Sequence, residues 1–429
     1  MRVCLKRSRG YRSQVSVPGD KSISHRAAII CSLASGVSEI SNFLHAEDCL
    51  ATLKCLKGLG VEIRQDKDRS LMVKGMNLFG FSEPRSVLDA RNSGTTARFL
   101  LGLLSGQNFF SVLSGDSSLR KRPMKRVVSP LRKMGAWIEG TKGGENLPLA
   151  IKGQKLKALS YKLPLPSAQL KSALILAALL AEGESEISEP IPSRDHTERM
   201  LLYMGAGLKK ENGLIKIQGE RSFQQQKIEI PGDFSSAAFF ITAAVLVENS
   251  ELILPDIGIN PTRTGFLRIL KKMGAKIAIT RMKKKSHEPL ATLTVSSSEL
   301  KGTTVRREEI PSLIDEIPLI VLCAARAEGK TVIRGASELR VKESDRIRAL
   351  VFNLRKMGVE VEEREDGLAL EGPQPLKGAL LHSFGDHRIA MAMAIAGLIA
   401  EGETEIEDFS CYRVSFPNFY RLLMEWQDD

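Results

Sequence analysis

Residues 20–26 read DKSISHR, which sets two cations, two hydroxyls and an imidazole within about two helical turns, just before the apolar run AAIICSLASG. Related clusters recur as RNSGTTAR at 91–98, PSAQLKS at 166–172 and GDHR at 385–388. Side chains of this kind hold anions. An arginine fork grips carboxylate or phosphate bidentately, lysine supplies a point charge, and hydroxyls add hydrogen bonds. Capping is a plainer account of the Asp and Ser residues, which belong at helix starts whatever the function. It gives no reason for Lys21, Arg26, Arg98 or Arg388, because the positive end of a helix dipole disfavours a cation. Such conflicts between local rule and sequence mark functional sites.

The elements that must position these residues repeat along the chain. Gly-Asp opens a run of small apolar residues three times, and sixteen residues separate Asp20 from Gly36, Asp233 from Asn249 and Asp386 from Gly402. Six times a helix-like apolar run ends in a small residue and rises into an alternating strand: SLASGVSEI, LLSGQNFFSV, LLAEGESEI, LVENSELIL, RAEGKTVI and LIAEGETEI. Five amphipathic helices end at Gly before a strand: LKGLGVEI, LRKMGAWI, LLYMGAGL, LKKMGAKI and LRKMGVEV. Glycine there is the expected left-handed C-cap. The two signatures alternate with a period of roughly 65–85 residues, so six units of two helices and their strands fill nearly the whole chain. The sixth unit lacks the second signature and ends in FYRLLMEWQDD. Six units point to an α/β protein of two domains with three units each, and the boundary falls near Pro231–Asp233. The first strand, RVCLKRS, precedes the first unit and is free to cross over to the second domain. Parallel helices within a domain would gather their N-termini, with unpaired N–H groups and positive dipole ends, at one anion-attracting place.

Bulk composition narrows the partners. The net charge is +12, yet aromatics are only 5%, and no basic block is interleaved with rings that would stack on bases. The dense basic run RMKKKSH at 281–287 is expected in a solvated hairpin loop. Dispersed cations suit small anions better than a duplex. No apolar run approaches the roughly 18–20 residues of a bilayer span, and no signal peptide is expected. Cys4, Cys31, Cys49, Cys55, Cys323 and Cys411 form no metal-ligand spacing and read as reduced thiols of a cytoplasmic protein.

Nine motifs in order, DKSISHR, RNSGTTAR, KRPM, PSAQLKSA, SRDHTERM, IDEIP, RVKESDR, GDHRIAMA and SFPNF, carry a resemblance to the 5-enolpyruvylshikimate-3-phosphate synthase family. The resemblance covers essentially the whole chain. It implies a two-domain inside-out α/β barrel, each domain made of three βαβαββ units around buried parallel helices. The first globule spans 20–231; the second joins 1–19 to 232–429, with the active site in the cleft between them. It also implies transfer of the enolpyruvyl group of phosphoenolpyruvate to the 5-hydroxyl of shikimate 3-phosphate, with release of phosphate.

By matched position, the resemblance assigns Lys21, Ser22, Arg26, Ser167, Ala168, Gln169, Arg194, Asp315 and Lys342 to shikimate 3-phosphate. Lys21, Gly94, Arg122, Gln169, Glu343, Arg346 and Arg388 are assigned to phosphoenolpyruvate, Gly94 through its backbone. Asp315 is the matched base for the 5-hydroxyl, assisted by Lys342, and Glu343 and Lys21 match the groups that handle the proton on C3. No metal and no organic cofactor is implied, nor any nucleic-acid or membrane partner, and a monomer is expected. Glyphosate is the implied inhibitor, and retention of Gly94, where tolerant relatives carry alanine, points to sensitivity. Where some members carry a lysine in the C-terminal motif, this chain has Val414 with Arg413 beside it.

Each residue also has a plainer reading. Glu343 and Arg346 stand three apart and suit a surface pair, Asp315 suits a helix cap, Arg122 an exposed position, and Asp386 with His387 a capped turn. Asp195 beside His196 resembles a catalytic pair, though a structural role near Arg194 is preferred. The sister family that uses UDP-N-acetylglucosamine places a cysteine in the loop that here reads SGDSSLRKRPM, which has none. A nucleic-acid-binding relative of RNA-terminal phosphate cyclases is the remaining alternative; it would bind with steep salt dependence.

Overall fold

The computed structural model describes residues 1–66 and 70–427. The last two residues of the terminal FYRLLMEWQDD lie outside the described residues. The chain divides into two compact units, Gly19–Ile230 with Lys285–Glu288, and Met1–Pro18 with Pro231–Lys284 and Pro289–Asp429.

Each unit is a mixed α/β assembly with its own hydrophobic core. In the first unit the helices Lys21–Leu33, Gly94–Ser105 and Ala168–Ala178 are the inner ones. Their sequences are rich in Ala, Leu and Ile on every side, and a helix that is apolar all round must be buried. The outer helices Glu47–Gly58, Lys125–Lys133 and His196–Tyr203 keep a charged face. Contacts between the second and third inner helices advance together. Thr95 meets Gln169 at the start, Gly102 lies against Ala173, and Gly106 lies against Leu180 beyond the last turn, so the two run parallel. Gly102 permits that approach, because a Cβ there would stand 2.2 Å from the Ala173 carbonyl oxygen.

The second unit repeats the plan. Its inner helices are Phe234–Leu246, Ile317–Arg326 and His387–Gly397, and its outer ones are Gly265–Lys272, Arg346–Lys356 and the short Phe419–Met424. That last helix stands where the sequence showed no second signature. Five outer helices do end at left-handed glycines, Gly60, Gly135, Gly205, Gly274 and Gly358 (φ between +76° and +99°).

Among the described residues, five sheets have four strands and share one order: a parallel edge strand, the strand after the inner helix, then an antiparallel pair. Two edge strands pair with partners far away in the sequence but inside the same unit. Lys227–Glu229, just before the second Gly-Asp, pairs in parallel with Val37–Ser41 of the first unit. Arg12–Gln14, just before the first Gly-Asp, pairs in parallel with Glu251–Gly258 of the second. Val3–Leu5 adds an antiparallel edge to Thr404–Glu407 in a three-stranded sheet, and Leu156–Lys157 pairs with Ala181–Glu182 in a two-stranded one.

The run RMKKKSH does not form a loop. Strand Lys276–Lys285 carries its basic residues, and the turn is confined to Ser286 and His287, both at positive φ, before strand Glu288–Ser296. A two-residue turn with both central residues left-handed matches strand twist. The strands therefore continue through lysines that propensity alone would exclude. Residues 285–288 group with the first unit rather than with the strands that carry them. None of the six cysteines takes part in a disulfide. No described helix is long and apolar enough to cross a membrane.

Candidate active site

In the first unit the inner helix starts are capped as their sequences require. Asp20 accepts from the Ile23 N–H at 2.9 Å, Ser93 from Thr96 at 3.1 Å and Ser167 from Leu170 at 3.3 Å. The cations beside them are engaged with particular partners. Lys21 Nζ lies 3.0 Å from Asp48 Oδ2 in the first turn of the outer helix Glu47–Gly58. Arg122, far from exposed, donates to Asn92 Oδ1 at 2.6 Å and to the Asn92 carbonyl at 3.3 Å. Asp48 and Asn92 both line a cavity of about 530 Å³ that also touches Asp116 and Arg120.

Arg98 joins the second and third helix starts, donating to Gln169 Oε1 at 2.7 Å, while Gln169 Nε2 donates to Thr95 Oγ1 at 2.9 Å. Gly94 leaves room for this guanidinium, since a Cβ there would fall 2.6 Å from Arg98 Nη1. Sequence reasoning flagged Arg98 as misplaced charge and gave it no role; it orders Gln169.

Arg26 is buried, and its nitrogens donate to Thr197 Oγ1 (2.7 Å), the Ser22 carbonyl (2.8 Å) and Ser172 Oγ (3.0 Å), with Phe99 beneath it at 4.8 Å. Burial pulls its pKa down to about 10, against the attraction of Glu198. Arg194, half-buried, reaches Ser22 Oγ at 3.4 Å.

His196 Nδ1 lies 2.8 Å from Glu288 Oε1, and Asp195 accepts from Arg199 at 2.8 Å and Lys210 at 3.4 Å. Glu288 is almost a hundred residues away in the sequence, and nothing in its surroundings announced this contact.

His25 begins a buried chain, with its Nδ1 2.7 Å from Thr52 Oγ1, Thr52 2.7 Å from Thr96 Oγ1, and Thr96 donating to Ser93 Oγ at 2.8 Å. Burial, with Lys21 and Arg26 nearby, holds the imidazole pKa well below its ordinary value. The unfolded chain protonates this ring below about pH 6.5 while the folded chain does not. The unfolded state then binds more protons, so stability falls as pH drops below that value, by up to ~1.4 kcal/mol per pH unit. His25→Gln is expected to flatten the fall of the urea midpoint between pH 6.5 and 5; identical slopes in both proteins would contradict this.

The second unit builds a denser charge cluster. Arg346, 1% exposed, donates through Nε to Asp386 Oδ2 (2.7 Å) and through Nη2 to Glu343 Oε2 (2.6 Å), and its Nη1 lies 3.4 Å from Asp315 Oδ1. Burial opposes its charge, but Asp386, Glu343 and Asp315 outweigh it and raise the pKa above the usual arginine value. Asp386, itself fully buried, has its pKa lowered: burial works against ionisation, and Arg346 overcomes it. It also caps its helix through the Arg388 N–H at 2.8 Å. The expected surface pair of Glu343 and Arg346 is thus an inner one.

Asp315 does not cap a helix through its side chain. Three guanidiniums surround it: Arg346 at 3.4 Å, Arg388 at 3.7 Å and Arg263 at 3.8 Å. Arg388 also donates to the Asp315 carbonyl at 3.2 Å. Arg263 was not anticipated; it is buried, donates to Ser235 Oγ at 2.6 Å, and Ser235 in turn donates to the buried Glu316. Lys342 is half-buried just before Glu343, and Arg413 lies exposed over the Tyr412 ring at 5.9 Å. Among the described residues, no group of three or more His, Cys, Asp or Glu side chains has the arrangement of a metal site.

Each unit therefore presents buried helix starts crowded with cations and a few carboxylates. In an α/β protein, helix starts of this kind are suited to small anions. The family model for EPSP synthase (3-phosphoshikimate 1-carboxyvinyltransferase) matches residues 6–423, and the chain belongs to that family. A protein of Geotalea uraniireducens named 3-phosphoshikimate 1-carboxyvinyltransferase is 51% identical over 98% of this chain and 97% of its own. One of the same name from Persephonella marina is 51% identical over 96% of each. The EPSP synthase structure from Acinetobacter baumannii superposes with a TM-score of 0.87 at 42% identity, covering 99% of this chain and 97% of that one. The enolpyruvyl transferase NikO from Streptomyces tendae, 17% identical with a TM-score of 0.80 over 99% of this chain and 97% of that one, shares the fold.

Proposed function

We infer that this chain is a 3-phosphoshikimate 1-carboxyvinyltransferase of the shikimate pathway, converting phosphoenolpyruvate and shikimate 3-phosphate into 5-enolpyruvylshikimate 3-phosphate and phosphate. The observation that carries this reading is the family match over residues 6–423, with the family's motif residues present in order. The cationic helix starts support it, because each substrate brings a phosphate and a carboxylate. We further propose that each unit is an inside-out α/β barrel of three βαβαββ units and that residues of both units serve one reaction, as a monomer.

In that reaction the 5-hydroxyl gives its proton to Asp315 as its oxygen bonds to C2 of phosphoenolpyruvate, and C3 gains a proton. The tetrahedral intermediate then loses phosphate from C2 while C3 returns a proton, leaving the enolpyruvyl ether. The guanidiniums of Arg263, Arg346 and Arg388 hold the Asp315 carboxylate in place. Lys342 assists it, and Glu343 and Lys21 handle the C3 proton. Arg122, Arg346 and Arg388, with Lys21, Gln169 and the Gly94 backbone, hold phosphoenolpyruvate. Ser22, Arg26, Ser167, Ala168, Gln169 and Arg194, with Lys21, hold the acceptor. Arg26 shapes that subsite even where its nitrogens are already engaged, through Ser22.

Phosphate release measured with each acceptor separates the alternatives. Release with shikimate 3-phosphate and none with UDP-N-acetylglucosamine is expected, and the reverse would move the chain to the sister activity. Glyphosate is the proposed inhibitor. Gly94→Ala is expected to displace the Arg98 guanidinium from Gln169, raising the KM for phosphoenolpyruvate and weakening glyphosate inhibition, each by about tenfold or more. Unchanged steady-state constants and inhibition would contradict that role for Gly94.

A further inference from the structure

Lys171 lies on the third inner helix, four residues beyond its Ser167 cap, and its side chain is fully buried. Its ammonium stands 2.7 Å from Glu189 Oε2 and 2.8 Å from Glu198 Oε1, and donates to the Ser193 carbonyl at 3.3 Å. Burial works against this ammonium, and Glu198 and Glu189 more than offset it, so its pKa is raised. Lys210, 3.6 Å from Glu198, supplies the second positive charge that balances the two carboxylates. A buried ion cluster of this kind is weak evidence for stability, because apolar side chains of similar volume often do as well. A requirement for one particular local conformation is the better-supported reason to keep it.

The conformation at stake is that of residues 193–198. Ser193 is held twice, by Lys171 at its carbonyl and by Glu189 at its hydroxyl. Thr197, four residues after Ser193, accepts from Arg26 and pairs with Ser172 at 2.7 Å, and Glu198 follows it on the same ammonium. Arg194 lies between these anchors. We propose that Lys171 is a positioning residue for the acceptor subsite. It locks the segment carrying Arg194 onto the same helix whose start, Ser167–Gln169, faces the acceptor phosphate. This rests on the functional reading above. Neither Lys171 nor its carboxylates touch Lys21, Arg122, Arg346 or Arg388, in the contacts described, so the effect falls on one substrate only.

The test is equilibrium binding of shikimate 3-phosphate by calorimetry, with steady-state kinetics, on wild type, Lys171→Met, Arg194→Ala and the double variant. Wild type must bind and turn over shikimate 3-phosphate; if it does neither, the functional reading fails, independently of Lys171. Given that binding, Lys171→Met is expected to weaken Kd and KM for shikimate 3-phosphate by about tenfold or more, with kcat and the KM for phosphoenolpyruvate within about twofold. In the Arg194→Ala background the same change should cost little more, because both act through one contact. Full additivity, equal loss for both substrates, or unchanged affinity would overturn the proposal. Should Lys171→Met not fold, Glu189→Gln, which loosens the Ser193 anchor at constant volume, takes its place in the same cycle, with the same results expected and the same results overturning the proposal.

Discussion

Arg346→Met is expected to abolish most activity and to destabilise the second unit at the same time. The guanidinium is 1% exposed and serves Asp386, Glu343 and Asp315 together. Removing one partner of a buried ionic network strands the others, at about 3–5 kcal/mol. The kcat/KM for phosphoenolpyruvate should fall by about 10²–10³-fold or more. Arg346→Lys should rescue little, because a single ammonium cannot reproduce the planar fork that meets three carboxylates. Urea unfolding with steady-state kinetics checks both halves. A variant with a wild-type midpoint, or one regaining full activity as lysine, would show that the cluster is neither structural nor catalytic in the manner described.

Asp315→Asn should behave differently. The amide keeps the shape and can still accept a hydrogen bond, but it cannot take the proton of the 5-hydroxyl. General-base removal is worth about 10²–10⁴ in rate, so kcat should drop by that factor while both substrates still bind. Its side chain is 12% exposed and its contacts to Arg263, Arg346 and Arg388 are long, 3.4–3.8 Å, so the fold should survive. A kcat within tenfold of wild type would remove Asp315 from the base role and leave it as an organiser of the three arginines. The two positions share contacts, so their combined effect should not be additive.

The architecture was legible because it repeats. Inner helices are apolar on all sides and outer helices end at glycine, and both are local signals that survive in a single sequence. The long-range pairing of Arg12–Gln14 and Lys227–Glu229 was only half visible, because a three-residue edge strand carries almost no pattern of its own. The basic hairpin was misplaced because propensity reads lysine as loop, whereas a turn at Ser286 and His287 set the register instead.

Within the site, the cations stood out by violating the dipole rule, and the resemblance sorted them between substrates. Their internal partners were invisible. Asp48 reads as an ordinary first-turn carboxylate, Asp386 as an ordinary cap, and Glu288 as a strand end. Each matters through a contact that the fold creates across 27 to 92 residues, and one sequence holds no record of such pairings. Arg263 and the Lys171 cluster were missed for the same reason.

The most direct test follows the phosphorus nuclei of both substrates by NMR in one tube of purified protein. With phosphoenolpyruvate and shikimate 3-phosphate present, the phosphoenolpyruvate signal should disappear. Inorganic phosphate should grow in equal amount, and the 3-phosphate signal should move to that of a new ester without being lost. Phosphoenolpyruvate left intact beside shikimate 3-phosphate, but consumed beside UDP-N-acetylglucosamine, would contradict the assignment.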